Sequence, residues 1–256
     1  MSVRLAVQLH PQHASYDDLR RAVATAEDLG LDAVYNWDHF FPLYGDPDGR
    51  HFEAWTMLGA WAEQTERIDI GCLVTCNSYR NPELLADMAR TVDHISNGRL
   101  VFGIGSGWFE RDYDEYGYEF GTPGGRLDAL AAAMPRIEDR WSKLNPAPTR
   151  SIPVLIGGGG EQKTLRIVAR HADVWHYFYN AENPDKYLAK IEVMHRRCAE
   201  IDRDPAEVTI SAGLDAKLVD HADRLVEAGV GEFTFGLNGP DYDFGPIKDW
   251  VAWAGR

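Results

Sequence analysis

Asp38 and His39 close the apolar run Val34-Tyr35-Asn36-Trp37, and a loop rich in aromatics, glycine and proline follows them. An acid beside an imidazole can give or take a proton near neutral pH. The dipeptide alone is weak, because an aspartate can also cap a loop and a histidine can pack in a core. Three further segments change its standing. Cys72-Leu73-Val74-Thr75-Cys76-Asn77-Ser78-Tyr79-Arg80-Asn81-Pro82 runs from a strand into a polar turn ahead of a helix. Gly103-Ile104-Gly105-Ser106-Gly107-Trp108-Phe109 alternates glycines, which lets backbone approach a flat ring or a phosphate. It lacks the third spaced glycine of a dinucleotide fingerprint, and small residues can also relieve crowding inside a barrel. Ile156-Gly157-Gly158-Gly159-Gly160-Glu161 places four glycines between a strand and a helix. Amides gathered at the positive end of a helix suit a phosphate. A plain turn is the rival reading, but four glycines carry an entropy cost that a turn does not require.

These segments need a frame that puts them on one side. β-branched and apolar runs predict strands at Arg4–Leu9, Ala33–Trp37, Ile68–Thr75, Leu100–Gly105, Pro153–Gly157, Asp173–Phe178, Val208–Ala212 and Glu232–Phe235. Helical spacing fills the intervals, at Tyr16–Leu29, Phe52–Thr65, Pro82–Ser96, Arg126–Leu144, Glu161–His171, Asp185–Ile201, Lys217–Ala228 and Pro246–Ala254. Asn81-Pro82-Glu83 opens one helix, Gly30 and Gly229 close two others, and Pro135 is expected to kink a fourth. Eight strand–helix units in one domain, 1–256, predict an α/β fold of the (β/α)8 barrel type, with a doubly wound open sheet as the alternative. In a barrel all of these loops share the rim at the C-terminal ends of the strands, where chemistry is placed. A glycine nest, a small-residue wall and an acid–imidazole pair on one rim describe a pocket for a large, planar, phosphorylated cofactor. Gln8 and His10 on the first strand, and His176 at the end of the sixth, fall near the same mouth. So do Trp37, Phe40, Phe41, Tyr44, Trp108, Phe109, Trp175 and Tyr177. His51, His94, His171, His195 and His221 read as packed or solvated.

The 256 residues are 45% hydrophobic, enough for a large core, and carry a formal charge of −14. So acidic a chain is not expected to bind nucleic acid or anionic membrane. There is no apolar run of membrane-spanning length and no signal-peptide pattern at the start. Three cysteines, Cys72, Cys76 and Cys198, without zinc-type pairing predict reduced thiols, a cytoplasmic setting and no metal. A metal-dependent hydrolase is disfavoured, since the rim carries no carboxylate cluster and no strand bears an HxH pattern.

Leu29-Gly30-Leu31-Asp32-Ala33-Val34, Asp38-His39-Phe40, Tyr79-Arg80-Asn81-Pro82, Ile95-Ser96-Asn97-Gly98-Arg99-Leu100, Gly103-Ile104-Gly105-Ser106-Gly107-Trp108 and Pro153-Val154-Leu155-Ile156 with the four glycines together resemble the bacterial luciferase-like superfamily. More narrowly, they resemble its branch that uses the deazaflavin coenzyme F420. The resemblance implies a (β/α)8 barrel whose mouth holds the cofactor ring, and a homodimer. It implies a bulge after the third strand with a non-proline cis peptide, here Cys72–Leu73, flanked by Val74 and Thr75. Gly157, Gly158, Gly159 and Gly160 would hold the phosphate, and Gly105, Ser106, Gly107 and Trp108 would line ring and tail, with His176 nearby. His39 would exchange the proton, oriented by Asp38. Gln8, His10, Trp37, Phe41 and Trp175 would surround the substrate. Where sugar-phosphate dehydrogenases of the superfamily carry an acid, this chain has Trp108, which fits a flat or apolar organic substrate instead. The alternatives are a monooxygenase using reduced FMN on the same fold, and a non-catalytic barrel that binds flavin or deazaflavin.

Overall fold

A computed structural model describes residues 3–255. The first strand, β1 (Arg4–Leu9), leads through α1 (Tyr16–Asp28) to β2 (Ala33–Asn36). Ser15 caps α1 by accepting from the Asp18 amide while the Asp18 carboxylate accepts from the Ser15 amide, so two unpaired end groups satisfy each other. Leu19, Val23 and Ala26 then turn one face onto the sheet. After α2 (Ala54–Gln64) comes a third stave in two pieces, β3 (Asp69–Cys72) and β4 (Thr75–Cys76). Next are α3 (Pro82–Ile95), β5 (Leu100–Gly105), α4 (Glu110–Tyr116) and α5 (Pro123–Lys143). The rest alternates β6 (Val154–Gly157), α6 (Thr164–His171), β7 (Val174–Phe178), α7 (Pro184–Ala199), β8 (Thr209–Gly213), α8 (Ala222–Glu227), β9 (Val230–Leu237) and α9 (Gly245–Trp253).

The strands pair in parallel in the order β3-β2-β1-β9-β8-β7-β6-β5-β4, and β3 also pairs with β5, so the sheet closes on itself. The eight-stave parallel barrel with interleaved helices is the expected fold. Between staves and helices lies the main core, with Trp61, Trp175, Trp250, Phe102 and Phe235 among its fully buried side chains. Inside the barrel a small apolar floor of Ala6, Ala33, Tyr35, Leu73, Val101 and Leu155 meets a column of polar residues.

The structure departs from the expected elements at several points. The cis peptide lies at Leu73–Val74, not Cys72–Leu73. Cys72 is still in the ladder, in register with Asn36, and the Leu73 amide donates to the Asn36 carbonyl at 2.8 Å; the stave breaks one residue later than expected. Gly103 is needed where the barrel wall tightens, for a Cβ there would sit 1.8 Å from the Cys72 carbonyl oxygen. α4 was not foreseen. Seven residues dense in charge give no amphipathic stripe, and what holds the turn is tertiary: Asp112 and Tyr113 are fully buried. α6 starts at Thr164 rather than Glu161, and the expected helix from Lys217 is reduced to a 3-10 turn at Val219–His221 and the short α8. α5 begins earlier, at Pro123 behind the Thr122 cap, and continues past Pro135. Among the described residues no helix is long and apolar enough to cross a membrane.

Candidate active site

The C-terminal ends of the staves surround a cavity of about 1020 Å³. Lining it are Gln8 and His10 from β1, Trp37, Asp38 and His39 after β2, Leu73, Val74 and Thr75 at the break in the third stave, and Gly105, Ser106, Gly107 and Trp108 after β5. Gly157 and Gly158 from β6 and His176 from β7 complete the predicted set that reaches it. Val74 projects across the mouth, and Cβ atoms on Gly105 or Gly157 would approach its methyls to 2.6 and 3.3 Å. The small residues on β5 and β6 therefore make room for the bulge side chain, a use the sequence pattern left open.

Five predicted residues lie outside the cavity. Trp175 is fully buried on the helix side, stacked near Tyr177 and Tyr187, and its indole N–H donates to the Gly158 carbonyl at 2.8 Å. Its neighbour His176 points inward, and side chains alternate along a strand, so Trp175 cannot share the lumen. Phe41 turns away under Arg111, whose guanidinium carbon stands 4.0 Å from the ring centre. Cys72 is buried in the barrel wall, and burial pushes its thiol well above the ordinary value. Gly159 and Gly160 leave the cavity over Tyr177 and Thr164. The turn 161–163 then separates the glycine run from the first turn of α6, so the amides and the helix end are not one nest.

The acid–imidazole pair is rearranged as well. Asp38 does not orient His39. Its buried carboxylate receives both terminal nitrogens of Arg80, at 2.5 and 3.0 Å, and the Cys76 amide at 3.0 Å. Arg80 also reaches Glu53 at 2.6 Å. Burial disfavours the guanidinium charge, but the two carboxylates outweigh it and its pKa is raised. The partner of His39 is Asp112 of α4: its Oδ2 lies 2.7 Å from Nδ1. The Tyr79 hydroxyl donates to the same oxygen at 3.0 Å, and the Phe40 amide donates to the other at 3.1 Å. A carboxylate held by three donors fixes the imidazole tautomer, so Nδ1 carries hydrogen and Nε2 is left for a guest. Trp37, Trp108 and Phe109 present their faces or edges to the His39 ring within 5.8 Å and restrict its rotation. No local pattern marks Asp112 in the sequence; only the packing of α4 beneath the β2 loop brings it there.

Across the mouth, His10 stacks on Trp37 at 4.2 Å and hydrogen-bonds Asn238 at 2.7 Å and Tyr44. Trp37 is fixed from behind, its indole N–H donating to His51 Nε2 at 3.0 Å. Burial lowers the His51 pKa to about 4, so that ring is a neutral acceptor. Gln8 donates to the Leu73 carbonyl and ties β1 to the bulge. Trp108 is 62% exposed and forms the open edge of the cavity.

His176 is 4% exposed and its Nε2 has no hydrogen-bond partner among the described residues. Burial lowers its pKa from 6.5 to about 4. The unfolded chain therefore binds this proton first as the pH falls. Stability is fully present above about pH 6.5 and is lost as the pH drops towards 4, by about 3 kcal/mol from this group. Urea unfolding across that window should show a smaller loss for His176→Leu than for the unaltered protein; equal loss in both would remove His176 from the acid response. A buried nitrogen left bare on a cavity wall also fits a site that receives a polar ring. Among the described residues no group of three or more His, Cys, Asp or Glu is placed to hold a metal ion.

Fold and site together define a parallel (β/α)8 barrel with a deep, aromatic-rimmed cavity and an acid-anchored imidazole at its mouth. The chain belongs to the luciferase-like monooxygenase family, whose model matches residues 1–228. An uncharacterised protein of Mycobacterium tuberculosis (strain ATCC 25618 / H37Rv) is 30% identical over 223 residues, covering 77% of this chain and 75% of the relative. The F420-dependent glucose-6-phosphate dehydrogenase of Amycolatopsis mediterranei (strain U-32) is 30% identical over 172 residues, 60% of this chain and 50% of that enzyme. Among solved structures, an F420-dependent secondary alcohol dehydrogenase in complex with an F420–acetone adduct superposes with a TM-score of 0.86 over 100% of both chains, at 19% identity.

Proposed function

We propose that this protein is an F420-dependent oxidoreductase acting on a small, flat or apolar organic molecule. The observation that carries the reading is the Asp112–His39 pair at the edge of a 1020 Å³ cavity backed by Val74. Family membership and the F420-dependent relatives support it. The orphaned His176 Nε2 and the roomy, mainly apolar mouth fit a planar heterocycle. The backbone at Gly157 and Gly158 and the wall at Gly105, Ser106 and Gly107 would hold it, with Leu73, Val74 and Thr75 behind. When bound, the deazaflavin accepts or gives up a hydride. The protein's own work is to exclude water, to seat the substrate among His10, Trp37 and Trp108, and to hold or release a proton at His39 Nε2. Trp108 supplies no charge for a phosphorylated sugar, which favours the apolar substrate class.

Fluorescence titration with F420 and with FMN tests the cofactor. F420 is expected to bind the more tightly, and the reverse order would transfer the site to the flavin monooxygenase reading. Gly158 has φ +120°, and its Cβ would stand 3.2 Å from the Thr164 methyl. Gly158→Leu should therefore weaken F420 binding ~10-fold or more, by displacing the loop or blocking the seat. Unchanged affinity would remove Gly158 from the cofactor site.

A further inference from the structure

The polar column inside the barrel meets the cavity at Thr234 and at the His176 imidazole. His176 Nδ1 lies 2.9 Å from the Ser211 hydroxyl oxygen, which lies 3.2 Å from that of Thr234. Thr234 donates to Glu232 Oε1 at 3.5 Å, and Glu232 Oε2 accepts from Arg4 Nε at 3.3 Å. Arg4 continues to Asp69 at 2.7 Å, at the opposite end of the barrel. The register of β7, β8 and β9 sets His176 beside Ser211, and Ser211 beside Glu232, so the chain of contacts follows from strand pairing and not from loop placement.

We propose that this column holds His176 as the tautomer protonated on Nδ1, so that Nε2 offers a lone pair to the cavity and selects a guest carrying an N–H or O–H at that point. The order of donors supplies the reason. Burial pushes the Glu232 carboxyl up, the Arg4 guanidinium at 3.3 Å opposes that shift, and the ionised carboxylate paired with Arg4 accepts from the hydroxyls above it. With Thr234 donating to Glu232, and Ser211 donating to Thr234 or Glu232, the Ser211 oxygen has only lone pairs left for His176. Nδ1 must then carry the hydrogen. The ring is neutral at physiological pH, since burial holds its pKa at about 4. Phe178 meets the ring edge-on at 5.3 Å, and a Cβ on Gly213 would stand 2.8 Å from Nε2. Glycine at 213 thus leaves no side chain against the nitrogen. The identity of the guest rests on the function proposed above, and flavins and deazaflavins share an imide N–H of the required kind.

Two measurements separate this inference from that reading. The first uses nitrogen NMR of histidine-labelled protein without cofactor, the His176 signal being assigned by its loss in His176→Gln. A protonated Nδ1 and a bare Nε2 are expected, with a tautomer mixture appearing in Glu232→Gln and in Ser211→Ala. A proton on Nε2 in the unaltered protein overturns the proposal. The second adds F420, then FMN. The bare Nε2 resonance should move to lower frequency on binding while Nδ1 stays in place. His176→Leu should weaken binding of the better ligand ~10-fold, with most affinity retained in His176→Gln, whose side-chain oxygen can also accept. Binding that leaves the Nε2 signal unmoved and is equal in the leucine variant overturns the proposal while sparing the cofactor reading. If neither cofactor binds the unaltered protein, the cofactor reading falls, and the tautomer still decides whether His176 is an acceptor.

Discussion

His39→Ala is expected to lower F420-linked turnover by ~10²–10⁴-fold, the range for loss of a positioned acid–base group, while F420 affinity stays near that of the unaltered protein. The imidazole lies at the cavity edge with Nδ1 bound to Asp112, so its removal takes away a proton carrier without touching the glycine loop or the bulge. Asp112→Asn should approach the same loss. An amide that turns its NH2 group to Nδ1 favours the opposite tautomer and puts the hydrogen on Nε2, and it cannot stabilise an imidazolium. Asp38→Asn separates the two aspartates. It leaves the His39 contact intact, so its pH–rate profile should match that of the unaltered enzyme even where stability drops. Steady-state rates with F420 and a panel of small alcohols and ketones, with affinities measured separately, make the comparison. Near-normal turnover in His39→Ala would remove the imidazole from the reaction, and a displaced pH profile in Asp38→Asn would restore the role that the sequence first assigned to it.

The largest effect on stability is expected at Arg80. Its side chain is 11% exposed and bridges Asp38, whose side chain is 0% exposed, to Glu53 at 37%. Arg80→Met leaves the Asp38 carboxylate buried with one backbone donor, the Cys76 amide, and no countercharge. Breaking a buried pair on one side costs about 3–5 kcal/mol, because the remaining charge keeps its desolvation penalty. Removing both sides is less damaging than the sum, so Asp38→Leu combined with Arg80→Met should recover part of the loss. Urea unfolding of the two single variants and the double gives the coupling directly. A cost below about 1 kcal/mol for Arg80→Met would mean that water reaches Asp38. The pair also ties the loop after β2 to the segment that enters α3, so weaker F420 binding by Arg80→Met is expected only to the extent that the bulge at Leu73–Val74 shifts.

Much of this molecule was readable in one dimension. The strands stood out because staves buried on both faces are runs of Val, Ile, Leu and Phe, and the helices between them carry one apolar face. Asn81-Pro82 announced the start of α3, because end groups are satisfied by residues a fixed few positions away. The rim could be named for the same reason: once the order of elements is a barrel, the C-terminal ends of the strands share one side. Hence Gln8, His10, His39, Val74, Gly105, Gly158 and His176 could be gathered from sequence alone, and all of them line the cavity.

Direction and partnership were decided elsewhere. Trp175 and His176 are neighbours in the chain, yet one is core and the other lumen, because pairing with β6 and β8 sets which face each residue takes. The partner of His39 lies 73 positions along the chain, on a helix too short and too charged to be seen by periodicity. Asp38, its immediate neighbour, faces Arg80 instead. Adjacent residues on an extended segment point apart, and hydrogen-bond partners at long sequence separation exist only when the barrel closes. Residue type and spacing therefore settled where the candidate residues gather, while the closed sheet and the packing of α4 settled which carboxylate meets which side chain.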